Sequence, residues 1–295
     1  MHQLRYVVAV SRAGNFSRAA AQCHVSQPSL SQQILKLEEE LGERLFDRMK
    51  REAKLTPHGE AFLPRAIKIL EEVDAAKREA SDAHGLLRGR LIIGVLPTIA
   101  PYLLPQALAE FAGKFPGVEI VVHEDTTARL LKLAQAYEID FALASRPIQD
   151  PRMEVKDLFT EELRLALPRG HRLTRKRTVR VADIEKEPFI VMQEGHCLGD
   201  QVLNFCERRD LKPRVNFRSA QLETIQALVR SGVGISLVPA MAARGERKDS
   251  PEYRSLPAPR PERKIVAVWP RQRPPGRAAK EFLKQISATC KELQR

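Results

Sequence analysis

One stretch constrains the fold more than any other: residues 16–48, which read FSRAAAQCHVSQPSLSQQILKLEEELGERLFDR. An alanine-rich helix is predicted from Ser17 to Cys23, followed by a tight break at His24-Val25. Ser26 is placed to cap a second helix, because a serine hydroxyl accepts hydrogen bonds from the free N–H groups of a first turn. Apolar residues recur at helical spacing along this second helix, at Leu30, Ile34, Leu37 and Leu41. Two short helices joined by a tight turn predict a helix-turn-helix.

The opposite face of the second helix is polar, which suits an interface with double-stranded DNA. Serine and glutamine side chains reach base edges in the major groove, while lysine and arginine neutralise phosphates. After Gly42, the basic loop RLFDRMKREAKLT predicts a wing that lies along the DNA backbone. The residues expected to contact DNA are Ser26, Gln27, Pro28, Ser29, Ser31, Gln32 and Lys36 on the helix, and Arg48, Lys50 and Arg51 on the wing. The pattern alone also allows an amphipathic helix pair whose polar face is merely solvated.

The net charge of +12 favours a polyanionic partner but does not locate its binding site. Residues 1–60 contain 9 lysines and arginines against 7 acidic residues, whereas residues 241–295 contain 14 against 6. Most of the excess therefore lies far from the predicted helix-turn-helix. The prediction of DNA binding depends on the residue pattern rather than on charge.

A long helix is predicted to follow the wing. Thr56 is its expected cap, and Pro57 occupies its first turn. Its apolar residues alternate spacings of four and three, as in a heptad seam, at Phe62, Ala66, Ile69, Val73, Ala76, Ala80 and Ala83. Such a seam predicts a partner helix, most simply from a second copy of the chain. The alternative is a helix that packs only on its own domain.

From residue 89 onward, predicted strands alternate with predicted helices, which indicates an α/β domain. The segment RKIVAVWP and the last helix are expected to return to the first half of this domain. We therefore expect subdomain I at 90–162 and 265–295, and subdomain II at 163–264. Thr98 and Thr127 each follow a strand and precede a helix, so both are expected to face the cleft where ligands bind. Alternatively, both threonines are helix caps.

Two cysteines lie nine residues apart in GHCLGDQVLNFC, on a helix predicted to begin near Cys197. Such residues are separated by about 13 Å along a helix and about 180° around it, whereas a disulfide needs Cα atoms within about 7 Å. Cys197 and Cys206 can therefore be joined only if the helix unwinds. The helix dipole and the neighbouring His196 are expected to favour the Cys197 thiolate. From spacing alone, a pair of buried apolar thiols is the commoner case. A metal site is not expected, because only His196 lies nearby.

The N-terminus MHQLRYVVAV lacks the apolar core of a signal peptide, and no apolar run reaches the roughly 18 residues that a membrane span needs. We therefore expect a cytoplasmic protein without a membrane partner. Thiols are normally kept reduced in that compartment, so the four cysteines are not expected to form a structural disulfide framework.

These stretches resemble LysR-type transcriptional regulators over nearly the whole chain. The similarity is carried by residues 16–48, by LTPHG, and by LPTIAPYLLP, HEDTTARLL and GHCLGDQVLNFC in the second half. The resemblance implies an N-terminal all-α winged helix-turn-helix at 1–58 and a long linker and dimerisation helix at 59–88. It also implies a C-terminal α/β regulatory domain at 89–295, whose two subdomains are similar to those of periplasmic solute-binding proteins.

Within that family, the second half resembles the members that sense hydrogen peroxide. That resemblance implies that Cys197 attacks peroxide and that Cys206 then forms a reversible disulfide with it. It further implies that Thr98, Thr127, His196 and Asp200 hold the peroxide or support the thiolate. A homotetramer that recruits RNA polymerase to promoter DNA is implied as well, with peroxide as the signal and no cofactor.

One residue departs from this pattern. A basic residue stands in the peroxide-sensing members where this chain has Gly199, so the thiolate needs another source of positive charge. Arg263 and Lys264 of the returning segment are the candidates.

Two other functions compete with this interpretation. One is a LysR-type regulator that binds a small metabolite in the cleft and whose cysteines are incidental. The other is a thiol peroxidase. An enzyme is disfavoured because peroxide turnover needs no DNA-binding domain.

Overall fold

The computed structural model describes residues 1–47, 53–82, 87–244 and 250–293, and divides the chain into two compact units, Met1–Gly85 and Leu86–Arg295. The helices are α1 (His2–Ala13), α2 (Phe16–Gln22), α3 (Gln27–Leu41), α4 (Pro57–Asp82), α5 (Ala100–Lys114), α6 (Thr127–Gln135), α7 (Cys197–Glu207), α8 (Leu222–Arg230) and α9 (Arg277–Leu293). The strands are β1 (Phe46–Asp47), β2 (Lys54–Leu55), β3 (Gly89–Val95), β4 (Val118–Glu124), β5 (Phe141–Ser145), β6 (Met153–Leu167), β7 (Pro188–Met192), β8 (Arg214–Ser219), β9 (Ser236–Pro239), β10 (Glu252–Arg254) and β11 (Glu262–Pro270).

The first unit contains the predicted helix-turn-helix, formed by α2 and α3. Helix α2 begins and ends one residue earlier than predicted, because Asn15 caps it by accepting hydrogen bonds from the backbone N–H groups of Ser17 and Arg18. Ser26 caps α3, as predicted, by accepting from the N–H of Ser29 at 3.3 Å. Helix α3 ends at Gly42, whose φ of 72° is a conformation that glycine adopts without strain.

The inner face of α3 packs on α1, α2 and the wing. Leu30, Ile34 and Leu37 are buried there as predicted, but Leu41 is 42% exposed because the helix ends directly after it. Among these apolar residues lies a buried carboxylate. Glu38 is 5% exposed, and its Oε1 accepts from the backbone N–H groups of Leu45 and Phe46 at 2.7 and 3.1 Å. This carboxylate fixes the start of β1, which pairs with β2 to form the wing.

Helix α4 contains the residues of the predicted heptad seam from Phe62 to Ala80, whereas Ala83 lies outside the described residues. Its cap is the one predicted, since the Thr56 hydroxyl accepts from the N–H of Gly59 at 3.0 Å. Phe62 packs against the core of the first unit, and Ala66 is fully buried. Ile69, by contrast, is 46% exposed. Ala76, Ala80 and Ala83 lie outside the described side chains. Pairing of α4 with a helix from a second copy of the chain thus stays a prediction. The exposure of Ile69 favours it.

The second unit is an α/β domain with two hydrophobic cores. Its main sheet has the order β10-β6-β11-β5-β3-β4, with β9 also paired to β6. Strands β3, β4 and β5 are parallel, whereas β11 runs antiparallel to both β5 and β6. Strand β6 passes through both cores, with Phe159 in the first and Leu165 in the second. The two-subdomain fold of the regulatory half is therefore as predicted.

The second core is built on a smaller sheet of β7 and β8, covered by α7 and α8. Strand β8 and helix α8 were not predicted. Helix α9 returns to the first core, as predicted, through Phe282 and Cys290. Within the described ranges, no helix is long and apolar enough to cross a membrane.

Candidate functional site

Helix α7 carries both cysteines of the predicted redox pair and begins at Cys197, as predicted. Cys197 is partly buried and packs against the first hydrophobic core, whereas Cys206 is fully buried within the second. Both are free thiols. Nine helical residues place them about 13 Å apart along the axis. A disulfide between them therefore requires α7 to unwind.

Gly199 lies where α7 packs directly on strand β7. A Cβ atom at this position would lie 2.7 Å from the carbonyl oxygen of Met192. That distance is far shorter than a normal contact, and the neighbouring atom belongs to the backbone of a buried strand. The glycine is therefore required by close packing. The basic residue expected from the family resemblance has no room here unless α7 or β7 moves.

Of the two candidate sources of positive charge, Arg263 is the one whose charge lowers the pKa of the Cys197 thiol. Its side chain is fully buried, and its Nε lies 2.7 Å from Oε1 of Glu161. Its Nη1 donates to the hydroxyl of Thr98 at 2.8 Å, and its Nη2 donates to the Thr98 carbonyl oxygen at 3.0 Å. Lys264, the other candidate, is nearly half exposed and pairs with Asp157. The arginine is fixed by its neighbours at a position from which its charge acts on Cys197.

Burial nevertheless dominates the chemistry of Cys197. It raises the pKa of the thiol above the ordinary value of 9.0. The charge of Arg263 is the largest opposing influence, and the Thr127 hydroxyl and the backbone N–H of Leu198 also lower this pKa. Asp200, exposed one turn along the helix, raises it further. Burial therefore opposes the thiolate that the helix terminus is expected to favour, and the thiolate role of Cys197 stays a prediction.

The two threonines of the predicted site are buried beside this cysteine network. Thr98 is 3% exposed and accepts the Arg263 hydrogen bond. Thr127 is the first residue of α6. Its hydroxyl oxygen is buried, lies near the Cys197 thiol, and has no partner of full hydrogen-bond geometry in the described part of the chain. Neither threonine is a cap residue, since Ile99 and Thr126 hold those positions.

The other two predicted peroxide-site residues lie at the start of α7. His196 is its cap residue and is partly exposed, while Asp200 is exposed. The roles of Thr98, Thr127, His196 and Asp200 in holding peroxide stay predictions.

Gln201 is a site residue that the sequence reasoning missed. Its Nε2 donates to the Ser145 hydroxyl and to the Arg146 carbonyl, both at 2.8 Å, and so ties α7 to the end of β5. Its Oε1 is buried and finds no hydrogen-bond partner among the residues described. Its spacing is the sequence feature that could have identified it, because Gln201 lies one turn beyond Cys197 on the same face of the helix.

The predicted DNA-binding residues of α3 and of its cap are all accessible to solvent at least in part. Ser31 is partly exposed, and the exposed ones are Ser26, Gln27, Pro28, Ser29, Gln32 and Lys36. Arg48, Lys50 and Arg51 lie outside the described residues.

Comparison with known proteins agrees with these features. Residues 1–60 match the family model described as "Bacterial regulatory helix-turn-helix protein, lysR family", and residues 84–291 match that of the "LysR substrate binding domain". The hydrogen peroxide-inducible genes activator of Pectobacterium carotovorum subsp. carotovorum is 34% identical over 293 residues, which cover 99% of this chain and 96% of that protein.

Two OxyR proteins are also similar. The DNA-binding transcriptional dual regulator OxyR of Escherichia coli (strain K12) is 36% identical over 270 residues, covering 91% of this chain and 88% of that protein. A solved structure of a full-length OxyR variant from Pseudomonas aeruginosa superimposes with a TM-score of 0.78 at 32% identity, covering 96% of this chain and 93% of that one.

Proposed function

The chain belongs to the LysR family of bacterial transcriptional regulators, and on that premise we propose that it senses hydrogen peroxide through Cys197 and Cys206. Members of this family are DNA-binding regulators and not enzymes. The relative from Pectobacterium carotovorum is named for activating genes that peroxide induces, which supports the same signal here. No observation favours the alternative of a small-metabolite co-inducer with incidental cysteines.

One observation carries the proposal: the two thiols of α7 pack into different hydrophobic cores. The Cys197 thiol loses its proton, and its sulfur attacks one oxygen of hydrogen peroxide. The O–O bond breaks, hydroxide leaves and takes up the proton as water, and Cys197 becomes a sulfenic acid. The Cys206 sulfur then displaces the sulfenic oxygen as a second water. Two thiols and one peroxide thus give one disulfide and two waters.

The physical consequence of that disulfide is a change of shape. Gln201 ties α7 to β5, Gly199 lies against β7, and Cys206 is enclosed in the second core. Joining the sulfurs breaks these arrangements, because an intact helix keeps them apart. Oxidation is in this way converted into a conformational signal within the regulatory domain.

The signal is proposed to reach promoter DNA through an oligomer. We place the homodimer contact on α4, where Ile69 is exposed, and expect two dimers to form a homotetramer. Disulfide formation would change how the four helix-turn-helix units lie on double-stranded DNA and so allow RNA polymerase to be recruited. A regulator of this kind acts in the cytoplasm and, on this proposal, needs no cofactor besides peroxide.

Thiol chemistry tests the assignment directly. The reduced wild-type protein should lose two thiols on treatment with one equivalent of peroxide, and should activate transcription from a bound promoter. Cys197→Ser should keep all of its remaining thiols after the same treatment and should not activate transcription. Its DNA binding should persist. Cys206→Ser should accumulate a sulfenic acid at Cys197 that dimedone traps.

Cys290 provides the control, because it is a buried cysteine of the first core outside α7. Cys290→Ser should behave as the wild type. A Cys197→Ser protein that still responds to peroxide would refute the proposal, as would an unchanged thiol count in the wild type.

A further inference from the structure

The DNA-facing helix carries an apolar side chain among its polar ones. Leu35 is 39% exposed, whereas Leu30 and Ile34 of the same helix are fully buried. A helix turns by about 100° per residue, so in projection Leu35 lies about 40° from Ser31 and about 60° from Gln32. It therefore occupies the middle of the surface that these two polar residues border. Among the described residues of the first unit, Leu35 belongs neither to the hydrophobic core nor to the side chains packed against it.

We infer that Leu35 is a specificity-determining residue that contacts the methyl group of a thymine in the operator, an inference that rests on the proposed DNA-binding function. A leucine side chain has no donor or acceptor, so it gains nothing from phosphates or from polar base edges. The thymine C5-methyl group is the apolar feature that a base pair presents in the major groove. Burial of two apolar surfaces against each other is the favourable contact open to this side chain.

The position of Leu35 along the helix is compatible with this contact. Eight residues separate it from Gln27, which corresponds to about 12 Å of helix, and the major groove is about 12 Å wide. Beyond Lys36, the exposed Glu39 and Glu40 would meet phosphates with like charge. The base-reading part of α3 therefore ends near Leu35.

The same helix offers a matched control. Leu41 is 42% exposed, nearly the same as Leu35. It lies about 120° around the helix from Leu35, in projection with the inward-facing Ile34 and Leu37. Leu41→Ala removes the same side-chain carbons, at nearly equal exposure, from a different side of α3.

Deoxyuridine provides the test, because it differs from thymidine only by the missing methyl group. Full-length wild-type protein first selects its preferred duplexes from a pool of random sequence. Each thymine of a selected duplex is then replaced by uracil, one position at a time, and binding is titrated. One buried methyl group corresponds to about 0.8 kcal/mol, or about a fourfold change in affinity.

We expect the wild type to lose affinity about fourfold at one thymine of each half-site. Leu35→Ala should show no such loss at that thymine, and Leu41→Ala should retain it. If Leu35→Ala binds too weakly to titrate, Leu35→Met keeps an apolar tip and should retain the loss.

The inference is overturned if no single uracil weakens the wild type, if Leu35→Ala keeps the full loss, or if Leu35→Met abolishes it. A different result marks failure of the proposed function itself: the wild type then enriches no duplex from the pool. The two failures are separate, because the uracil series is measured only on duplexes that the wild type binds.

Discussion

Replacing Gly199 by alanine should shift the redox equilibrium toward the disulfide. The added Cβ would lie 2.7 Å from the Met192 carbonyl oxygen, so it strains the contact between α7 and β7 in the reduced protein. In the proposed oxidised form, α7 has left this position and the strain is absent. The substitution thus destabilises one redox state and spares the other.

The size of the effect follows from two opposing contributions. Overpacking against a backbone that cannot rotate away costs about 2 to 3 kcal/mol, while alanine favours the helix over glycine by about 1 kcal/mol, which leaves about 1 to 2 kcal/mol. For a two-electron couple this makes the reduction potential about 20 to 45 mV more negative. The sign is negative because the reduced form is the one that loses stability.

Equilibration in glutathione buffers of graded potential measures this shift, with the disulfide fraction read by alkylation and mass spectrometry. The melting temperature of the reduced protein should fall by about 2 to 8 °C, and that of the oxidised protein should stay unchanged. Gly113→Ala is the matched control, since Gly113 is also helical and a Cβ there meets no atom within 4 Å. An unchanged potential, or equal destabilisation of both forms, would refute the reasoning.

Three further predictions test the sites described above. Glu38→Gln should lower the free energy of unfolding of the reduced protein in urea by about 1 to 2 kcal/mol, because it weakens the hydrogen bonds that anchor the wing. It should also lower DNA affinity. Unchanged stability would contradict a structural role for this carboxylate. Arg263→Met should raise the pKa of Cys197, measured by the pH dependence of alkylation, and destabilise the protein by about 3 to 5 kcal/mol because it leaves Glu161 buried without its partner. Adding Glu161→Gln should restore the stability but not the reactivity of Cys197 toward alkylation. Burial raises the pKa of Cys206 from 9.0 to about 11, so the folded state holds its proton where the unfolded state loses it. The free energy of unfolding should therefore fall as pH rises from 9 to 11. When melting temperature is measured against pH, Cys206→Ala should show a smaller fall over this range.

Local signals in the sequence predicted the parts of this fold that local interactions determine. The caps at Ser26 and Thr56 and the start of α7 at Cys197 depend on neighbouring residues, so residue type and spacing were sufficient. Leu41 shows the limit of periodicity. It continues the apolar face of α3, yet it is exposed because nothing of the core extends past the helix end.

Contacts between distant segments could not be predicted in this way. Arg263 and Thr98 are 165 residues apart, and only the folded sheet brings the guanidinium beside the buried hydroxyl. Gln201 reaches Ser145 across 56 residues. The burial of Cys197 could not be predicted for the same reason: the helix terminus is visible in the sequence, whereas the burial that raises the pKa of this thiol depends on contacts with distant segments.

The contacts of α7 also determine whether oxidation can act as a switch. Leu198 and Val202 are almost fully buried in the second core, and each contributes about 1.5 to 3 kcal/mol to holding the helix there. Together they contribute about 3 to 6 kcal/mol, while a 99:1 preference for the docked form needs about 2.7 kcal/mol, half of the ~5.5 kcal/mol that moves a two-state equilibrium from 1:99 to 99:1. In the reduced protein, the undocked form of α7 is therefore only a minor population. The Cys197–Cys206 disulfide is incompatible with that docking. Formation of this one bond therefore shifts the protein from mostly docked α7 to mostly undocked α7.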